Sequence, residues 1–147
     1  MGETTAYIIL RDNADLDRGL YVNFSDNPPC GFGGSGVVFG EDGLSVVPDF
    51  PHHAICPLCK VEIYDSLEGI LAESSAIAKD FTITCASCRK TYGIKEINSG
   101  NVNWYIAKNY IYISGIDEDE WAEDGIARTI RATLPGVVGV ILSLIHI

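Results

Sequence analysis

Cys56-Pro-Leu-Cys59 is followed, after 25 intervening residues, by Cys85-Ala-Ser-Cys88, which stands within Phe81-Thr-Ile-Thr-Cys85-Ala-Ser-Cys88-Arg-Lys-Thr-Tyr-Gly-Ile94. A Cys-x-x-Cys turn aims two sulfurs at one point and leaves backbone N–H groups at hand for the thiolates. Two such turns facing each other close a tetrahedral shell of soft ligands, the set that Zn2+ prefers in structural sites. Cys56, Cys59, Cys85 and Cys88 are therefore read as the ligands of one structural zinc ion. The spacer exceeds the roughly 15–20 residues usual between such pairs. A helix over Ser66–Ala78 accounts for the excess, because Leu67, Ile70, Leu71, Ser74 and Ala78 share one helical face. Asp65, with Glu68 three residues later, resembles a capping box at its start. The β-prone residues around the second pair, Phe81–Thr84 and Thr91–Ile97, place it at a hairpin tip. Two redox dithiols or two disulfides are the competing readings. A thioredoxin-like site needs one pair opening a helix in a βαβ unit, a context that two matched pairs do not suggest.

These residues resemble the zinc ribbon family over about residues 54–97. The resemblance implies a closed, four-ligand structural site and no particular activity. Family members usually carry Gly after each second cysteine; here Lys60 and Arg89 stand in those places. The layout beyond the ribbon (Trp104, the Tyr110–Ile116 strand, the acidic Glu118–Asp124 segment and a following helix) is similar to small uncharacterised bacterial ribbon-containing proteins. Some of those carry a sugar-transporter ATPase label, but no G-x-x-x-x-G-K-[ST] occurs in this chain.

The chain has 147 residues, 47% hydrophobic and 20% charged, with a net charge of −10, which fits one packed domain and not a disordered segment. The acid excess lies outside the ribbon: residues 1–55 carry eight acids and two bases, 56–95 five of each, and 96–141 seven acids and three bases. Tight binding to a phosphate backbone rests on Lys and Arg, so a protein partner is expected before a nucleic acid. No signal peptide and no apolar run of about 20 residues is evident. With cysteines in metal-type pairs, the expected compartment is the cytoplasm and no membrane partner is expected.

The fold class expected is α+β: an antiparallel or mixed sheet, one C-terminal helix packed on it, and the ribbon inserted between Val47 and Ile97. Thr5–Arg11 and Leu20–Phe24 read as strands separated by an Asp12–Gly19 turn. Val37–Phe39 and Leu44–Val47 read as a hairpin about Asp42-Gly43. Val102–Ile106 and Tyr110–Ser114 read as two strands or one bent strand. Asp117–Leu134 reads as the long helix, acidic at its start and with Ala122, Ile126, Ile130 and Leu134 on one face. Gly125 weakens its middle, and Val137–Ile141 is a final strand. Leu142-Ser-Leu-Ile-His-Ile147 is the translation of CTGTCTCTTATACACATCT, a transposase adapter end used in sequencing libraries. These residues are read as an assembly artefact outside the 1–141 domain, with the native chain expected to differ after about Ile141.

Gly31-Phe-Gly-Gly-Ser-Gly36 matches G-x-G-x-x-G, but Pro28-Pro29 precede it where a dinucleotide site needs a strand. His52 and His53 stand near Cys56, yet four thiolates already saturate a structural zinc. Three functional readings remain. The first is a non-enzymatic protein-interaction module. The second is a nucleic-acid-associated ribbon using Lys60, Arg89, Lys90 and Lys95. The third is a thiol enzyme using Cys30 with an activating histidine.

Overall fold

A computed structural model describes residues 2–31, 33–40, 43–47, 54–64, 77, 80–100 and 104–146. His52, His53 and all of the expected helix Ser66–Ala78 except Ile77 lie outside the described residues; Ile77 is not helical but bridges antiparallel to Leu44. Two compact units make up the chain: Met1–Phe39 with Ala107–Ile147, and Gly40–Ile106. The elements in chain order begin with β1 (Gly2–Leu10), a 3-10 turn (Ala14–Asp17), α1 (Arg18–Asp26), β2 (Ser35–Phe39) and β3 (Ser45–Val47). Next come β4 (Thr82–Thr84), β5 (Thr91–Gly93), α2 (Ile94–Gly100) and β6 (Tyr105–Ala107). The last four are β7 (Asn109–Ile113), α3 (Glu118–Glu123), α4 (Ile126–Thr133) and β8 (Val137–His146). The α+β class holds.

The first unit is a four-stranded sheet in the order β2-β7-β1-β8, with every neighbouring pair antiparallel. β1 lies between β7 and β8, with Ile8 opposite both Ile111 and Val140. The period of two along β1 turns Ala6, Ile8 and Leu10 to one face. There they join Ile111, Ile113, Tyr21, Trp121, Ile126, Ile130 and Leu134 in one core. The buried Asn109 ties the start of β7 to the exit of β1 by donating to the carbonyls of Arg11 at 3.0 Å and Asp12 at 3.2 Å.

Several local expectations change. Leu20–Phe24 belongs to a helix, not a strand: Tyr21 and Ser25 are buried one turn apart while Leu20 and Val22 are exposed. A five-residue apolar run carries too few periods to separate the two. The hairpin about Asp42-Gly43 does not form; β2 pairs with β7 and β3 with β6. β6 and β7 likewise belong to different sheets, so the stretch is two separate strands and not one bent strand. The long C-terminal helix is two helices, because Gly125 adopts the left-handed conformation at φ +59°. That break rephases the inward face, so Trp121 is buried and Ala122 is exposed. β8 runs past Ile141 to His146 and pairs with β1 as far as Gly2.

Asp117 caps α3, its Oδ1 accepting from the N–H groups of Asp119 at 3.0 Å and Glu120 at 3.2 Å. Removing this cap by Asp117→Ala is expected to cost about 1 kcal/mol. Ile130, 1% exposed at the centre of the core, is expected to cost about 2–5 kcal/mol on truncation to Ala. Urea unfolding of the two variants should reproduce that order; equal losses would contradict this placement of Ile130.

Candidate metal centre

Each cysteine pair closes the same backbone turn. In the first, Cys56 N–H donates to Val61 O at 2.9 Å and Lys60 N–H to Cys56 O at 3.0 Å. In the second, Cys85 N–H donates to Lys90 O at 2.9 Å and Arg89 N–H to Cys85 O at 2.8 Å. The second turn caps the β4–β5 hairpin, where Ile83 faces Tyr92 and Thr84 faces Thr91. This is the hairpin tip that the sequence suggests. The first turn also tips an antiparallel pair, with a bridge between Ile55 and Glu62 and Ile63 N–H donating to Ala54 O at 2.7 Å. β5 is shorter than expected. Glu96 accepts from Gly93 N–H at 3.0 Å, satisfying a donor that a helix start leaves unpaired, and α2 begins at Ile94.

The two turns bring all four sulfurs together. Cys56 Sγ lies 3.7 Å from Cys88 Sγ, and Cys59 Sγ lies 3.7 Å from Cys85 Sγ. All four lie within 4.8 Å of one another. A tetrahedron with metal–sulfur bonds of ~2.3 Å has edges of ~3.8 Å. The spacing therefore fits four-sulfur coordination, and the cluster can hold a metal ion. Cys56 and Cys85 are buried, Cys88 is half-buried and Cys59 is exposed. The buried pair belongs to a core with Ile83, Tyr92, Ile97 and Trp104.

The electrostatics also suit a cation. Burial opposes ionisation of Cys56. The Tyr92 hydroxyl and the Cys59 and Leu58 N–H groups outweigh it and bring the thiol down to about 6. The Tyr92 hydroxyl, 3.0 Å from Cys88 Sγ, likewise lowers the Cys88 thiol. For Cys59 the Val61 N–H favours the thiolate. Burial and the three neighbouring sulfurs prevail and push it up to about 11. Crowded thiolates repel one another, and a cation held among them removes that conflict.

Tyr92 was not among the residues that the sequence singled out. Its position four residues after Cys88, on the alternating β5 strand, is the only signal for it. Its hydroxyl hydrogen-bonds Cys56 Sγ as well as Cys88 Sγ, and the side chain is 4% exposed. Cys30 lies in the other unit, against the helical core. Burial and the charge of Glu120 push its thiol up, the direction opposite to that of an activated nucleophile. Of the glycine-rich stretch, Gly36 is already in β2, and Gly33 and Gly34 are stitched to the end of β7, with Ser114 N–H donating to Gly34 O at 2.8 Å and Gly33 N–H to Ser114 O at 3.1 Å. A Cβ at Gly31 would meet Ile113 and Ser114 at 2.6 Å, so close backbone packing accounts for that glycine.

Fold and site together define an α+β protein with a four-cysteine cluster at metal-binding distance. No protein-family model matches the chain, and no curated protein or solved structure matches it either. Among the described residues, no helix is long and apolar enough to cross a membrane.

Lys60 and Arg89 are the two described non-glycine residues at positive φ, +64° and +61°. They occupy the places where zinc ribbons usually carry Gly, and the closure of each turn imposes the left-handed conformation. An L side chain there costs about 1–2 kcal/mol, offset in part by the entropy that Gly loses on folding. Lys60→Gly and Arg89→Gly should each raise stability by about 0.5–1 kcal/mol, read as a higher Tm of the metal-loaded protein. A lower Tm for both would show that the cations contribute more than the backbone loses.

Proposed function

We propose that the chain holds one Zn2+ as a structural ion in a zinc-ribbon-type site and serves as a non-enzymatic protein-interaction module in the cytoplasm. The observation that carries the metal reading is the convergence of four sulfurs from two matching turns. Tetrahedral four-sulfur sites select zinc or iron. Four thiolates fill a zinc shell, which leaves no position for a catalytic water. Four of the five cysteines fall in metal-type pairs, a usage that suits a reducing compartment. The interaction reading rests on charge. Asp117, Glu118, Asp119, Glu120, Glu123 and Asp124 are all exposed in a chain of net charge −10, which favours a partner with a basic face.

Native mass spectrometry of the purified chain should show one zinc per molecule, and Cys85→Ser should abolish it. A red protein containing iron, or a well-folded protein without metal, overturns the zinc reading. For the interaction reading, a pull-down from cells that express the chain well should recover a specific protein; recovery of none counts against it. A nucleic-acid role is the second reading, favoured by the exposure of Lys60, Arg89, Lys90 and Lys95 around the cysteine turns. A salt-sensitive DNA or RNA mobility shift, lost on changing Arg89 and Lys90, would select it.

A further inference from the structure

Tyr92 makes a contact that no ligand count includes. Its hydroxyl reaches Cys56 Sγ, from the first turn, and lies 3.0 Å from Cys88 Sγ, from the second. The same two sulfurs form one of the two 3.7 Å pairs that cross between the turns. The ring is buried against Ile83, Ile97 and Trp104, and its O–H finds sulfur where a buried tyrosine must find an acceptor. Cys56 is 0% exposed, so solvent cannot stabilise its thiolate. Beside Cys56, the Cys59 N–H at 3.4 Å is a long contact. The hydroxyl is the stronger donor available to it.

We propose that Tyr92 is a positioning residue of the metal centre, its O–H bridging Cys56 and Cys88 so that the two turns are held at coordination distance before and after a metal binds. This rests on the metal reading above and adds to it a residue that ligates nothing. A donor shared between the two sulfurs draws charge from both. It thereby lowers the cost of burying a four-thiolate centre, and it fixes the spacing of one ligand from each turn. Groups that act on ligands in this way typically affect metal affinity 10- to 100-fold.

Tyr92→Phe removes the oxygen and keeps the ring, so the packing against Ile83 is retained. Thr91→Val is the control. Thr91 Oγ1 lies 2.8 Å from Thr84 Oγ1 on the exposed side of the same hairpin, so this change loosens the hairpin without touching sulfur. In zinc competition against a chelator, with the full chain, Tyr92→Phe should bind about 10- to 100-fold more weakly, and Thr91→Val should stay close to wild type. With Co2+ as the probe, the sulfur-to-metal charge-transfer band of Tyr92→Phe should move to longer wavelength, because sulfur lone pairs without the donor lie higher in energy. Unchanged affinity and band in Tyr92→Phe, or an equal loss in Thr91→Val, overturns the proposal while leaving the metal reading intact. A wild-type chain that binds neither zinc nor cobalt overturns both.

Discussion

In the second unit, the described core is arranged about the convergence of four sulfurs on one point. Its described strands are three residues long, too short for independent sheets to persist on pairing alone. The apolar core gathers around Cys56 and Cys85 rather than away from them. A metal held there would join the two hairpins through bonds that do not depend on buried area, which is how small units offset a modest core. Further polar contacts finish the periphery. Asn98 both donates to Ile106 O at 3.0 Å and accepts from Ile106 N–H at 2.8 Å, so its amide stands in for a neighbouring strand along β6.

The first unit needs no such centre. β1 has a partner on each side, and its inward residues meet helices that supply Tyr21, Trp121, Ile126 and Ile130. Its special residues are glycines that permit close approach or reversal. Gly136, at φ +77°, turns the chain from α4 into β8. Beside it the Tyr21 hydroxyl donates to Pro135 O at 2.7 Å, which anchors α1 to that turn. The unit is held by buried area and ladder bonds, and the four-cysteine cluster belongs to the other unit.

This difference explains what could be read from the sequence. Ligand spacing is set by covalent geometry and a two-residue gap, so the four cysteines and the second hairpin were legible without any knowledge of the fold. Strongly periodic segments were legible too: β1, and the Ile126 and Ile130 face of α4, which Leu134 continues just past the helix end. Short apolar runs were not. Leu20–Phe24 looks equally like a strand until Tyr21 and Ser25 are known to face inward. The Asp42-Gly43 turn signal was overridden because β2 and β3 pair with strands distant in sequence. The Gly93–Glu96 contact that starts α2 was present as a spacing, hidden inside a run that reads as one strand. Tyr92 was hidden for another reason: its place four residues after Cys88 on an alternating strand marks a core ring, and does not say that the oxygen meets sulfur.

The charge of the site bears on why such an oxygen belongs there. A divalent ion held by the four thiolates would carry with them a formal charge of about −2, in a chain already at −10. Burying two of those sulfurs adds a desolvation cost that solvent cannot relieve. Only donors within the turns can spread the charge, and the described ones are backbone N–H groups and the Tyr92 hydroxyl. Lys60 and Arg89 sit immediately after Cys59 and Cys88, at backbone angles that disfavour them. Positive charge directly beside a negative centre lowers its energy in the same sense as the O–H does, though solvent screens it more strongly. Glycine would relax the backbone and forgo that charge. The balance between about 1–2 kcal/mol of strain and the field of a nearby cation is therefore the physical choice that distinguishes these turns from the glycine-bearing pattern they resemble.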